Sequence, residues 1–247
     1  MNESDLIVPD WPIPATVHAC ATTRRGGVSQ GAWQSMNLGA HVGDDSAAVS
    51  ANRARLRQWL ALPDEPAWLN QVHGNRVVEA DFWPEPADAD ASISRRAGVA
   101  CVVMTADCLP VLFCAADGSE VAAAHAGWRG LADGVLEATL ADMHAPNSEI
   151  MAWLGPAIGP AAFEVGDEVR AAFIAVSPDM AAAFQASRPG HWLADIYALA
   201  RIRLRNAGLT RLFGGGRCTY TEADNFFSYR RDGTTGRMAS LIWIESP

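Results

Sequence analysis

No apolar run in this sequence reaches the ~18 residues that a membrane-spanning helix needs. It contains no Cys-x-x-Cys pair, no P-loop and no Rossmann glycine fingerprint. Positive charge is in the minority, since 19 Lys+Arg against 28 Asp+Glu give a formal net charge of −9 over 247 residues. Each absence excludes something. The opening residues Met1-Asn2-Glu3-Ser4-Asp5 lack a basic region followed by an apolar stretch. Neither a membrane span nor a signal peptide is therefore expected, and the expected compartment is the cytoplasm. The acidic balance argues against a general nucleic-acid or membrane-surface binder, because either needs positive charge facing phosphates. Five cysteines, an odd number at irregular spacing, make no disulfide framework. Cys20, Cys101, Cys108, Cys114 and Cys218 are expected as reduced thiols.

What remains is a globular composition, 49% hydrophobic and 19% charged. Repeats, low-complexity tracts and flexible linkers are all missing, so residues 1–247 are expected to form a single domain. The longest loop-like stretch is 84–90, where two prolines block regular structure, with smaller breaks at 63–66, 145–147 and 214–216. Apolar runs of strand length lie at 99–105, 110–115, 121–124, 149–154 and 238–244, and the last is apolar enough to be central. Helical patterns lie at 47–60, 128–143, 167–176 and 194–207. The second places Leu131, Val135, Leu136 and Leu140 on one face. Asp167 is expected to cap the third, and Gly208 to end the fourth. Strands and helices mix without a strict alternating beat, which predicts an α+β fold with mixed sheets and outer helices.

Three segments are denser in reactive side chains than a plain core requires: 70–74 (NQVHG), 105–110 (TADCLP) and 124–130 (AHAGWRG). Cys108 falls in a short polar break between two strand runs, where a thiol can be exposed and ionised. Asp107 beside it is placed to orient a ligand or partner. His125 follows a strand run and precedes Gly127 and the start of a helix, where free backbone N–H groups favour anions. Gly127 and Gly130 allow a close approach by backbone or ligand. Taken singly, each of these residues also fits a packed core or a turn. His73 precedes Cys108 by 35 residues, and Cys108 precedes His125 by 17. Those gaps exclude a local zinc finger, whose ligands come in close pairs, and suit a catalytic site assembled from several strand ends. Two imidazoles and a thiolate leave a fourth position for water, whose pKa zinc lowers toward ~7. The same residues also suit a metal-free Cys–His nucleophilic pair.

Arginine and glycine motifs occur near both ends, at 22–27 (TTRRGG), 37–45 (NLGAHVGDD), 225–232 (NFFSYRRD) and 234–237 (TTGR). Such arginines can clamp phosphate or carboxylate, and nearby aromatics can stack a base. With TADCLPVLF, AAHAGWRG, GPAIGP, FEVGDEV and NQVHG, they make the sequence strongly resemble the YfiH-like proteins. These are also called the laccase-domain or polyphenol-oxidase family. The resemblance runs from residue 22 to residue 238 and keeps the family's motif order.

The resemblance implies zinc held by His73, Cys108 and His125, with copper as the other candidate metal. It implies a fold similar to the catalytic domain of cytotoxic necrotising factor, with mixed sheets in an α/β/β/α arrangement. It also implies purine nucleoside chemistry: phosphorolysis of adenosine, inosine, guanosine and methylthioadenosine to base and sugar 1-phosphate, and deamination of adenosine. On that reading His73, Cys108 and His125 are catalytic, and Arg53, Arg129 or Arg231 hold phosphate. Asn37 and His41 contact sugar or base, and Asp107 supports the ligands. Glu164 and Asp107 are the candidates for a separate acid–base. The expected partners are a nucleoside and phosphate, without nucleic acid or membrane, and a monomer is expected.

Three alternatives stand beside this reading. A metal-free hydrolase with Cys108 as nucleophile and His125 as base fits a second role of bacterial members, the editing of peptidoglycan precursors. A copper oxidase fits the family's older name, with Met104 or Met238 as axial ligand, but six histidines are few for a multicopper site. A non-catalytic partner protein could use the nine tryptophans as a surface, although core packing explains most of them.

Overall fold

The computed structural model describes residues 5–80 and 86–245. One sheet has four strands in the order β1 (Leu6–Ile7), β2 (Val17–Thr22), β15 (Met238–Ile244) and β7 (Cys101–Thr105). A second has six, in the order β14 (Arg211–Gly214), β10 (Ile150–Leu154), β8 (Leu109–Ala115), β9 (Val121–Ala126), β6 (Ala91–Ser94) and β4 (Val77–Glu79). Two small sheets pair β11 (Glu164–Gly166), β13 (His191–Ala194) and β12 (Phe184–Ala186), and β3 (Leu69–Asn70) with β5 (Ala87–Asp88). The sheets are mixed: β10–β14 and β4–β6 run parallel, while β8 pairs antiparallel with both β9 and β10. The helices are α1 (Ser46–Trp59), α2 (Trp128–Asp133), α3 (Val135–Asp142), α4 (Asp167–Val176), α5 (Ile196–Asn206) and α6 (Tyr229–Asp232).

Alternation along the strands sets the layers. On β8, Leu109, Val111 and Phe113 enter a core shared with Leu131, Leu136 and Leu140 of α2 and α3. Leu112 and Cys114 point the other way, into a core shared with Val103 of β7 and Ile242 of β15. On the far side of the four-stranded sheet, Val102, Met104 and Leu241 pack against Leu56 of α1. The order is helices, six-stranded sheet, four-stranded sheet, helix, which is the expected α/β/β/α layering. Both faces of each central strand are covered, so these strands read as unbroken apolar runs instead of alternating ones.

Several expected boundaries shift. The pattern at 128–143 is two helices, because Gly134 sits at φ 94 and breaks the turn. Buried Arg203 of α5 bridges the break, donating to Ala132 O at 3.0 Å and pairing with Glu137. The apolar spacing continues through the glycine, which is why it reads as one helix. The cap of α4 is Gly166, not Asp167, whose carboxylate instead accepts from Trp192 Nε1 at 2.7 Å. The first cap of α5 is Asp195, accepting from Ala198 N, and Gly208 at φ 89 follows its last turn. Of the loop-like stretch at 84–90, residues 84 and 85 lie outside the described residues, and Ala87–Asp88 is strand. β15 is central, lying between β2 and β7. The run at 121–124 continues to Ala126, so His125 belongs to β9.

This topology gathers three connections at one end of the sandwich. Ala106–Cys108 carry the chain from β7 in one sheet to β8 in the other. Register then sets Pro110 of β8 beside His125 of β9. On the opposite side of β9, Ala91 pairs with Ala124, so Asp90 falls beside His125, whose backbone N–H donates to Asp90 O at 2.7 Å. The β3–β4 connection, with His73, closes over the same end.

Candidate metal centre and cleft

His73, Cys108 and His125 each offer one ligand atom, and the three atoms lie within 4.8 Å of one another. Among the described residues this is the one such group of His, Cys, Asp or Glu. The two imidazole rings meet edge to face, with centroids 4.8 Å apart and planes at 68°. His125 is buried, Cys108 is half-buried and His73 is exposed, so the group is reachable from one side.

Two of the turns that present these donors are left-handed at a non-glycine residue: His73 has φ 60 and Asp107 has φ 93. Each such residue costs on the order of 1–3 kcal/mol and persists only where the surroundings hold it. Asp90, fully buried, holds the first. Its carboxylate accepts the backbone N–H groups of Val72, His73 and Gly74 at 3.2, 3.0 and 2.7 Å. It also meets His125 Nδ1 at 2.8 Å, which leaves Nε2 as the ring nitrogen free to bind a metal. The Asp107 carboxylate holds the second turn, accepting from Thr219 Oγ1 at 2.6 Å, Ser228 Oγ at 3.0 Å and Arg230 N at 2.7 Å.

Electrostatics follow from these contacts. Burial pulls the His125 imidazole down, but the Cys108 sulfur and Asp90 outweigh it and hold it up at about 9 without a metal. Burial and then His125 depress the His73 imidazole. Burial raises Asp90, but the bond to His125 and the Gly74 and His73 N–H groups win, and it stays below the usual carboxylate range. Gly127 explains the close packing, since a Cβ there would lie 2.8 Å from His73 Nδ1 and 3.1 Å from Cys108 Sγ. At Gly130 a Cβ would lie 2.5 Å from Gly74 O.

The group lies in a cleft of ≈ 510 Å³. Of the other expected contact residues, His41 and Arg129 line this cleft. Burial, then Arg237 and Arg53, push the His41 imidazole below its ordinary value. Arg129 is exposed, stacks on Trp128 at 4.6 Å, and makes no ion pair among the described residues.

The other expected contact residues, Asn37, Arg53, Arg231, Asp107 and Glu164, do not line this cleft. Asn37 is fully buried, and its side chain fixes the backbone of Gly39 and Arg237. Arg53 is spent on Leu38 O, at 3.0 and 2.8 Å, and on the Trp68 ring at 4.0 Å. Arg231 donates to the carbonyls of Thr219, Tyr220 and Phe226 and pairs with Asp232. Asp107 touches none of the three donor side chains in its hydrogen bonds; it ties down the 219–230 segment. As an acid–base it is occupied, and so is Glu164, which Arg188 and Ser187 hold down at about 2 outside the cleft.

Sequence reasoning missed Asp90 and did not single out Arg237, Tyr229 and Gln71, all three lining the cleft. Gln71 is visible in the NQVHG segment; its amide donates to Met104 O and accepts Met104 N, at 2.8 and 2.7 Å, stitching His73's loop to β7.

Comparison with known proteins now places the chain. The family model described as multi-copper polyphenol oxidoreductase laccase matches residues 18–245. The chain belongs to this laccase-domain family. A Pseudomonas aeruginosa family relative named as a purine nucleoside phosphorylase is 58% identical over 97% of this chain and 98% of its own. Purine nucleoside phosphorylase YfiH of Escherichia coli is 58% identical, covering 98% and 99%. A crystal structure of a Neisseria meningitidis protein assigned to DUF152 superposes with TM-score 0.95 at 55% identity, covering 98% of this chain and all of that one. YlmD from Geobacillus stearothermophilus superposes with TM-score 0.89 at 35% identity, covering 94% and 93%. The mixed-sheet fold is therefore that of the laccase-domain family, whose description ties it to a metal.

Proposed function

We propose that this protein is a metal-dependent purine nucleoside phosphorylase, with zinc at His73, Cys108 and His125. The names of its relatives support the substrate class. The donor set supports the metal: two imidazoles and a thiolate, with Asp90 fixing one ring and Gly127 leaving the space. Such an ion, when bound, supplies Lewis acidity and lowers the pKa of a bound water.

The observation that carries the phosphorolysis reading is the pair of guanidiniums, Arg129 and Arg237, lining the same cleft as the three donors. The sequence contains no lysine, so every cationic side chain besides histidine is an arginine fork suited to phosphate. Both nearby aspartates direct their carboxylates into hydrogen bonds with protein groups and compete little for that anion. In phosphorolysis the C1′–N9 bond breaks, its electron pair leaves with the purine, and a phosphate oxygen bonds to C1′. Arg129 and Arg237 hold the phosphate for that attack. Substrates are adenosine, inosine, guanosine and methylthioadenosine; deamination of adenosine, in which water replaces the C6 amine, is the second activity. This reading places the protein in the cytoplasm as a monomer.

The test is hypoxanthine release from inosine. It should require phosphate, stop with a chelator and return with zinc, and Arg129→Ala should raise the KM for phosphate about tenfold. Release that ignores phosphate and chelator refutes the proposal.

One observation favours a second reading. His125 is bonded to Asp90 and lies with its free ring nitrogen near the Cys108 sulfur, the order of nucleophile, base and orienting acid in a Cys–His amide hydrolase. That enzyme would survive metal stripping and die on thiol alkylation. A copper oxidase has less support. The axial candidate Met104 lines the cleft with its sulfur 3.8 Å from Arg53, while the buried Met238 sulfur accepts Phe227 N at 3.1 Å.

A further inference from the structure

Tyr229 is 62% exposed, yet the residues on both sides of it are tied to the protein by hydrogen bonds. Its two neighbours are bonded to one buried carboxylate: Ser228 Oγ and Arg230 N both donate to Asp107 Oδ2. Ser228 also caps the short α6, accepting Arg231 N. Arg230 donates to Glu164 O at 2.8 Å, and Arg231 donates to three carbonyls of the preceding segment. So residues 228, 230 and 231 are each held by the protein, and the aromatic side chain of residue 229 is not buried by any of it. That side chain lines the cleft with Trp128, His41 and Arg237, whose guanidinium lies 6.0 Å from the ring centre. Asp107 makes this tie from a left-handed backbone at φ 93, a conformation a non-glycine residue holds only at a cost. Meanwhile its chain neighbour is Cys108, one of the three donors. One residue therefore couples the floor of the cleft to an exposed ring at its mouth.

We propose that Tyr229 is the face on which the purine base stacks, and that Asp107 is the positioning residue that holds it there. The inference rests on the nucleoside reading above. An aromatic ring left exposed on a rigid backbone suits a planar heteroaromatic ligand, because stacking needs a π face and little adjustment. The adjacent Arg237 completes a site for a base linked to a sugar that must meet an anion.

The test is equilibrium binding of inosine to the protein as purified, with steady-state KM for inosine and phosphate alongside. Tyr229→Ala should weaken inosine binding about tenfold or more, with phosphate KM and metal content unchanged. Tyr229→Phe should recover most of that affinity, because the ring and not the hydroxyl makes the stack. Asp107→Asn should weaken inosine binding too, and should add nothing in the Tyr229→Ala background, which a merely destabilising change would not do. Inosine affinity within twofold of wild type in Tyr229→Ala overturns the stacking role, and losses that multiply in the double variant overturn the role of Asp107. Wild type that binds inosine but does not turn it over ends the phosphorylase reading and leaves the stack standing. Wild type that binds no purine ends both.

Discussion

Asp90→Asn is the sharpest perturbation of this site, because it changes one atom in a fully buried place. Four donors converge on the carboxylate. His73 N and His125 Nδ1 meet Oδ1, while Val72 N and Gly74 N meet Oδ2. An amide offers one oxygen, so two donors must face an NH2 group instead. One or two donors losing their partner, at ~1–3 kcal/mol each, amount to a loss of ~1–6 kcal/mol. For a chain of this size each kcal/mol moves Tm by about 2–4 °C, so a drop of about 2–24 °C is expected. If the amide oxygen keeps the Val72 and Gly74 bonds, its NH2 donates to His125 Nδ1 and sends the ring proton to Nε2, the nitrogen meant for the metal. Disturbing such a support typically costs about 10–100-fold in metal affinity. Thermal melting and competition with a chromophoric chelator for zinc measure the two effects. The acid limb gives a third. The folded Asp90 is depressed, so its stabilisation is present above the ordinary carboxylate pKa of about 3.9 and fades as pH falls below it. The stability gap between wild type and Asp90→Asn should therefore close below about pH 4. A variant that melts within about 2 °C of wild type and holds zinc equally well refutes the assigned role of Asp90.

Other outcomes follow from the same geometry. Gly127→Ala should fold well, since φ −64 suits alanine, but its methyl 2.8 Å from His73 Nδ1 should displace that ring and cut the metal content; full metal loading sinks the packing argument. Thiol labelling of the native protein should reach Cys108 and Cys218 only, because Cys20, Cys101 and Cys114 are buried with thiols pushed up to about 12; zinc should then protect Cys108, and equal labelling of all five contradicts the burial. Metal binding must displace the His125 proton, so apparent zinc affinity should climb with pH and level off near the free-protein value of about 9, and a flat profile from pH 6 to 9 excludes His125 as a ligand. Phosphate binding should weaken as salt rises, since Arg129 is exposed and screening lengths shrink from ~10 Å at 0.1 M to ~3 Å at 1 M, while inosine binding should barely respond.

The three donors were legible because each sits in a short segment crowded with residues that a core has no use for. Asp90 was not, although it organises two of them. An aspartate at the end of a proline-rich stretch reads as a turn residue, and only the β6–β9 register puts it beside His125. The arginines show the same limit. Charge and position are visible in a sequence, but the carbonyls that consume Arg53 and Arg231 are not. Arg237 stood in a motif already marked as arginine-bearing, and what separates it from Arg231 is that Asn37 locks its backbone toward the cleft. The central strands were legible for a simpler reason, since strands covered on both faces leave uninterrupted apolar runs, whereas the α/β/β/α layering was implied only by the family resemblance.

The arrangement of charge argues for what this cleft admits. The protein as a whole is acidic, at −9, and an anion approaching it at random is repelled. Around the three donors the pattern reverses. Asp90 and Asp107 are close by, but each carboxylate is saturated by donors from the protein, and each is buried by those contacts. Arg129 and Arg237 line the opening with no carboxylate bonded to either among the described residues. The aspartates brace the turns at His73 and Cys108, while Arg129 carries no ion pair among the described residues and Arg237 spends only Nη1 on protein acceptors, Thr235 O and Gly236 O at 3.1 and 3.0 Å. On the proposed reading, this division of labour between buried acids and guanidiniums without carboxylate partners is what would fit the cleft of an acidic protein to receive an anionic co-substrate.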